Sequence, residues 1–379
     1  MRTSLQLAAL TSALCPLSQV ADGFAFNGGR FAAQTAAKRN TRDAPRLAFA
    51  RSSSEGRRRT VPGALGMMSE GLEEEVELKG SRLELQPTPE LGSSKNKMLH
   101  VVYRVGNMDR AISFYQDVFG MELLRYRDVA EDKYSNAFLG YGDESKGEHF
   151  SIELTYNYGV ESYKIGDGFN CMGLRLPDIE GIAERAKATG GEVVSGPEEV
   201  TLGPCIIPDE PVGKSVLENV VCIKDPDGYM FEVSETAYRR DPVSKVSLLT
   251  LDMEKSIDFY QDALGMTLLR RRSLLPCKTQ QVCWMGYGEE EDSTLLEIVY
   301  EYNREKIDRG DGYGQIAVST PDVFDAAAAV EKTKYDVTRA PGPVPGIGTK
   351  ITAVTDPDGF KTVLVDEVDI EKEFEEENL

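Results

Sequence analysis

From Leu99 to Val105 apolar and polar positions alternate, with β-branched residues among them, which predicts a strand. Asn107 or Asp109 can then cap a helix that runs to about Val118, with Ile112, Tyr115 and Phe119 on one face. Three further strand-like runs follow, around Met121 to Arg127, Asn136 to Gly140 and His149 to Tyr156. The order is β-α-β-β-β. A looser copy follows. Its strand is Cys171 to Leu176 and its helix Asp178 to Ala188, ended by Gly190-Gly191. Strands around Glu192 to Val194, Val220 to Lys224 and Tyr229 to Val233 complete it, and Ser195 to Lys214 reads as a long, apolar loop.

The same plan then returns. The segment LHVVYRVGNMDRAISFYQDVFGMELLRYR from Leu99 is matched by SKVSLLTLDMEKSIDFYQDALGMTLLRRR from Ser244. Each runs on to a Gly-Tyr-Gly (Gly140 to Gly142, Gly286 to Gly288), a strand carrying a Glu (Glu153, Glu297) and an Asp-Pro-Asp-Gly (Asp225 to Gly228, Asp356 to Gly359). In the second copy the pattern predicts strands from Val246 to Thr250 and on to Glu297, a helix near Met253 to Ala263, and a last cycle from Gln315. That cycle has a helix from Asp322 to about Lys332 and strands around Ile351 and Val363. The chain therefore reads as α+β, with two tandem domains at 98–238 and 239–370. Each is a pair of βαβββ modules curling around a groove. Asp-Pro-Asp-Gly by itself is only a turn signal.

Composition sets the surroundings. The chain has 379 residues, 41% of them hydrophobic, and a net charge of −20. Residues 1–60 carry 10 Lys/Arg against 3 Asp/Glu, so they are basic and the remainder is strongly acidic. An acidic body repels phosphate backbones and argues against a nucleic-acid partner. Beyond the N-terminal segment no apolar run approaches the roughly 20 residues of a membrane helix, so no membrane partner is expected either. Residues 1–23 have the outline of a signal peptide, and 24–66 are basic, Ala/Ser-rich and acid-poor like a transit peptide. That two-part leader resembles the presequence of algae with secondary plastids and implies a plastid protein; the alternative is secretion. Residues 67–97 read as a disordered linker and 371–379 as an acidic tail. The six cysteines show no CxxC and no repeated spacing, which favours reduced thiols over a disulfide framework.

Candidate ligands fall at repeat-equivalent places on the opening and closing strands. The modules offer His100 and Glu153, Cys171 and Glu232, Lys245 and Glu297, and Gln315 and Val363. Inward His, Glu and Gln suit a borderline divalent ion such as Zn²⁺ or Ni²⁺. His100 is one of only two histidines; the other, His149, reads as structural.

The strings LHVVYRVGNMDRAISFY, KYSNAFLGYG, ELTYNYGV, KDPDGYMFE, GYGQIAVST and APGPVPGIGTKITAVTDPDGFKTVLVD resemble glyoxalase I, or lactoylglutathione lyase, in the fused two-domain form of the vicinal-oxygen-chelate superfamily. The resemblance covers about residues 98–370. It implies isomerisation of the methylglyoxal–glutathione hemithioacetal to S-lactoylglutathione. A divalent metal would act as Lewis acid, and Glu153 as both ligand and base. It implies that His100, Glu153 and Gln315 hold the metal, with Cys171, Glu232 and Glu297 as a weaker set. It implies further that Arg104 and Asn157 hold the γ-glutamyl end of the cosubstrate glutathione, and Lys350 its glycyl carboxylate.

The family's usual exchange of modules would pair the first with the fourth and the second with the third. One site then has Val363 among its ligand positions, and the other has Lys245, an ammonium able to replace the cation. Leu249 and Glu301 stand where Arg104 and Asn157 stand in the first copy. Pairing modules one and two instead would gather His100, Glu153, Cys171 and Glu232. The departures keep open a catalytically silent binder of a glutathione conjugate, or another enzyme of the superfamily. Fusion of two domains is compatible with a monomer.

Overall fold

The computed structural model describes residues 95–377 other than 143, 145–148, 206–215, 237–238, 275–279, 289, 292 and 345–347. The expected signal peptide, transit peptide and nearly all of the linker lie outside the described residues. Four modules follow in order. The first is β1 (Lys97–Arg104), α1 (Met108–Phe119), β2 (Glu122–Val129), β3 (Tyr134–Gly140) and β4 (Ser151–Asn157). The second is β5 (Phe169–Leu176), α2 (Ile179–Ala188), β6 (Glu192–Cys205), β7 (Val216–Lys224) and β8 (Met230–Glu235). The third is β9 (Val243–Thr250), α3 (Met253–Asp262), β10 (Thr267–Leu274), β11 (Gln280–Gly286) and β12 (Leu295–Glu301). The fourth is β13 (Tyr313–Thr320), α4 (Val323–Val330), β14 (Val337–Pro343), β15 (Lys350–Thr355) and β16 (Lys361–Asp366), and α5 (Glu367–Glu377) follows it.

Local chemistry sets these boundaries. Asn107 caps α1 by accepting from the Arg110 amide, and Gly120, at φ 71°, ends it in the left-handed conformation that a side chain would strain. Asp178, Asp252 and Asp322 cap α2, α3 and α4 in the same way. Two expectations need correction. The segment from Glu192 is not a short strand followed by a loop: β6 runs to Cys205 in a long antiparallel pairing with β7. Much of the expected acidic tail is helical, because Ile370 and Phe374, four residues apart on α5, bury against β13, β15 and β16.

The strands form two sheets, and neither belongs to one sequence repeat. The first is open, in the order β14-β15-β16-β13-β1-β4-β3-β2, from modules four and one. The second closes into a barrel, β10-β11-β12-β9-β5-β8-β7-β6, from modules three and two. The seams are the antiparallel pairs β1–β13 and β5–β9. This excludes the alternative pairing of modules one and two: His100 and Glu153 lie in one sheet, Cys171 and Glu232 in the other.

The helices, by contrast, stay with their own repeat. Tyr115 of α1 donates to Asp225 at 2.6 Å, and Tyr260 of α3 to Asp356 at 2.9 Å. Each aspartate also accepts two backbone amides of its own Asp-Pro-Asp-Gly turn. The turn that carries little meaning in sequence is therefore a buried strut between helix and sheet.

Burial pushes the Asp225 carboxyl up to about 7 and the Asp356 carboxyl up to about 6, with hydrogen bonds opposing the shift. A raised folded pKa means that the native chain holds protons the unfolded chain has already lost. The contribution of these two groups is full below about pH 4 and is lost as pH rises through 6 and 7. Asp252, Asp308 and Asp369, whose values are lowered, are ionised throughout that window and do not oppose the trend. Between pH 5 and pH 8 the loss is about 4 kcal/mol, so the melting temperature should drop by at least ~5 °C. Asp225→Asn should remove most of the slope; thermal melts across pH check it, and a flat profile for the parent chain would refute it.

Candidate functional site

Four neighbouring strands of the open sheet bring the first set of predicted residues together. His100 is on β1, Glu153 on β4, Gln315 on β13 and Val363 on β16. Val102 of β1 pairs with both Glu153 and Gln315, and His100 is level with Ala317 and so with Val363, which puts the four side chains on two adjacent rungs of one face. All four line one cavity of about 20 Å³. His100 Nε2 is 3.3 Å from Glu153 Oε2. Two donors each about 2.1 Å from one ion at a tetrahedral angle would stand about this far apart. A space of this size suits a single ion or water. The donors present fit a divalent cation: one imidazole, one carboxylate and one amide oxygen, with Val363 leaving the fourth position without a protein ligand.

A residue that sequence reasoning missed holds the carboxylate. Asn136 on β3 donates to Glu153 Oε1 at 2.7 Å and to Thr155 at 3.0 Å. The signal was in the duplication: the second copy has Val282 and Val299 at these two places. Beside them Arg125 lies over the Phe138 ring at 3.7 Å and binds Glu144 at 2.5 Å.

The groove is roofed by α5. Glu373 accepts from Arg127 at 2.6 Å and from Thr349 at 3.1 Å, and stands 3.6 Å from Arg125. Ile370 closes the remaining side. Lys350, at the start of β15, pairs with Asp366 at 3.3 Å and with Asp369. Arg104 donates to the Asp311 carbonyl and Asn157 to the Tyr163 hydroxyl. Arg104, Asn157 and Lys350 do not line the small cavity with the set of donors.

The barrel carries the second set around a larger cavity of about 310 Å³. Here Lys245 Nζ lies 2.7 Å from Glu232 and 2.8 Å from Glu297. Glu297 is buried and takes a further bond from Ser247 at 2.7 Å, whereas the Glu232 side chain is 35% exposed. Burial disfavours the lysine's charge, but the two carboxylates outweigh it and hold its pKa well above the ordinary lysine value. Gly173 makes room: a Cβ there would come within 2.3 Å of the Lys245 stem. The corresponding place beside His100 is Ala317.

Cys171 is buried and does not line the cavity, and burial pushes its thiol well up, away from the thiolate a metal needs. An ammonium already occupies the space between the carboxylates, so these residues do not fit a divalent ion. Leu249 is buried in the wall, and Glu301 is engaged by Gln280 and Arg304. Replacing Lys245 by Gln should raise the metal bound per chain, measured by elemental analysis after dialysis; an unchanged content would mean that the lysine is not what excludes it.

The chain is similar to known proteins along both repeats. The model of the Glyoxalase/Bleomycin resistance protein/Dioxygenase superfamily matches residues 97–233 and 243–364. A probable chloroplastic lactoylglutathione lyase of Arabidopsis thaliana is 46% identical over 75% of this chain and 76% of its own length. A second Arabidopsis thaliana lactoylglutathione lyase is 44% identical over 74% of this chain and 94% of its own. The crystal structure of glyoxalase I from Zea mays aligns with a TM-score of 0.65 at 42% identity, covering 74% of this chain and 96% of that one. With similarity over 76–96% of these relatives' own length, the chain belongs to the lactoylglutathione lyase (glyoxalase I) family.

Proposed function

We propose that this chain isomerises the hemithioacetal of methylglyoxal and glutathione to S-lactoylglutathione, and that it does so in the open sheet. The observation that carries the assignment to this groove is the set His100, Glu153 and Gln315 around an ion-sized cavity. The relatives named lactoylglutathione lyase support the reaction. His100, Glu153 and Gln315 would hold a divalent ion, Zn²⁺ or Ni²⁺, whose Lewis acidity would stabilise negative charge developing on substrate oxygen.

The rest falls to the chain itself. Glu153 takes the proton from one substrate carbon and returns it to the neighbouring carbon, so a single carboxylate serves both halves of the isomerisation. Asn136 fixes the orientation of that carboxylate. Phe138, Ala317 and Val365 line the cavity with apolar surface and keep bulk water from the carbanionic intermediate. Arg104, Asn157 and Lys350 would hold the two ends of glutathione once the groove is open; Lys350 must first leave Asp366 and Asp369. The two-part basic leader and the chloroplastic relative support a plastid location. Covalent attachment of the two halves of each sheet supports a monomer.

The test is metal-reconstituted protein given methylglyoxal and glutathione, with thioester absorbance followed over time. Thioester formation that needs the metal supports the reading. Its absence, with a glutathione analogue still bound, would leave a binder and not an enzyme.

A further inference from the structure

We propose that the barrel cavity is a second, metal-independent site. In it Lys245 and Glu232 enolise a small α-hydroxycarbonyl compound that carries an anionic group. The proposal is separate from the lyase reading of the open sheet, which requires a divalent ion.

The first ground is a division of labour between two carboxylates at equivalent places in the second and third modules. Glu297 is buried and both of its oxygens are taken, one by Lys245 and one by Ser247. It anchors the lysine. Both carboxylates line the 310 Å³ cavity, but Glu232 touches the ammonium through one oxygen and its side chain is 35% exposed, against 5% for Glu297. A substrate carbonyl oxygen beside Lys245 would therefore have its α-carbon within reach of Glu232.

The step balances. Glu232 takes the proton from the carbon bearing the hydroxyl. The C–H electron pair becomes the C–C double bond, and the carbonyl π electrons move onto oxygen, where Lys245 donates a hydrogen bond to the new charge. Proton uptake neutralises Glu232, so the lysine is no longer shared between two anions when the oxyanion forms. Return of the proton to the same carbon restores the carboxylate and the starting carbonyl; return to the adjacent carbon does so as the enediol hydroxyl proton passes to the neighbouring oxyanion, leaving the isomeric hydroxycarbonyl compound. No electrons are gained or lost overall.

The second ground concerns the ligand. Arg175 and Arg270 line the cavity and converge on one carboxylate, Glu290, at 3.6 and 2.5 Å. With Arg239, which donates to the Glu290 carbonyl, three guanidiniums surround one carboxylate at that end, while the lysine end, with Glu232 and Glu297, is net negative; Glu198 on β6 and Glu218 on β7 also line the cavity. A carboxylate or phosphate substituent would seat at the arginines and direct the carbonyl end toward Lys245. The Trp284 ring under Arg270, at 3.8 Å, provides an apolar wall. A glutathione adduct is excluded on chemical grounds, because Leu249 and Glu301 offer none of the contacts that Arg104 and Asn157 are placed to make in the first copy.

The experiment uses the full chain stripped with chelator, in deuterated water, with dihydroxyacetone phosphate as probe. Proton NMR follows loss of the hydroxymethyl signal. We expect exchange above the buffer blank, unchanged in Glu153→Gln and reduced at least 100-fold in Glu232→Gln purified identically, which also controls for a contaminating isomerase. Dihydroxyacetone, lacking the phosphate, should exchange at least tenfold more slowly. Lys245→Gln should abolish exchange; if that variant does not fold, Glu232→Gln alone decides. No exchange by the parent chain, or exchange that survives Glu232→Gln, overturns the proposal. Equal rates for the two probes overturn the anionic requirement. Failure of thioester formation in the open sheet leaves this result untouched.

Discussion

Glu153→Gln should lower kcat for S-lactoylglutathione formation by about 10²–10⁴-fold, the range expected when a positioned general base is lost. That corresponds to about 3–5 kcal/mol of activation free energy. The fold should survive, because a glutamine oxygen can still accept from Asn136, the bond that now holds Glu153 at 2.7 Å. KM should change much less, since the group acts mainly on the transition state. The fourth ligand position is Val363, buried among Ala317, Ile351 and Val365, and the other carboxylate at the cavity, Glu373, is held by Arg127 and Thr349. Initial rates of thioester appearance at saturating metal decide the matter. A variant keeping more than a tenth of parental activity would place the base elsewhere.

Ending the chain at Asp366 should have the next largest effect, and in two directions at once. In the closed form the groove leaves about 20 Å³, far too little for a hemithioacetal. Catalysis there requires that Ile370 and Glu373 be displaced, so apparent affinity is reduced by the fraction of molecules with α5 undocked. Removing α5 should lower KM at least tenfold and free Lys350 from Asp369. It should also cost stability, because Ile370 and Phe374 each bury a large apolar side chain, worth about 2 kcal/mol apiece. Arg125 and Arg127 would lose their shared partner Glu373 as well. Steady-state kinetics and thermal melts read the two effects separately. An unchanged KM would mean that the helix does not stand in the path of the substrate.

The modular plan was legible because alternation and helical periodicity are local, and because the chain states them twice. The duplication also made Val363, Lys245, Leu249 and Glu301 visible as departures. The pairing of β1 with β13 and of β5 with β9 was not legible in the alternation, since an edge strand carries no mark of its partner; it followed only from likeness to a family. The role of α5 was missed because its Glu-rich composition hides the Ile370 and Phe374 stripe. Its charge partners, Arg125 and Arg127, lie far away in the chain. Asn136 was missed although the duplication marks it, because the contrast with Val282 gains meaning only together with Thr155 and Val299 on the neighbouring strand.

The seams between modules also bear on how the chain reaches its native state. Strand β1 finds its partner β13 about two hundred residues later, and such remote pairings are slow to form. The edge of β5 has no mate until the third module has been synthesised, and that of β1 none until the fourth. The first repeat alone should then be prone to association, so expressing residues 98–238 in isolation should give insoluble or intertwined material, whereas the two repeats supplied together could assemble in trans.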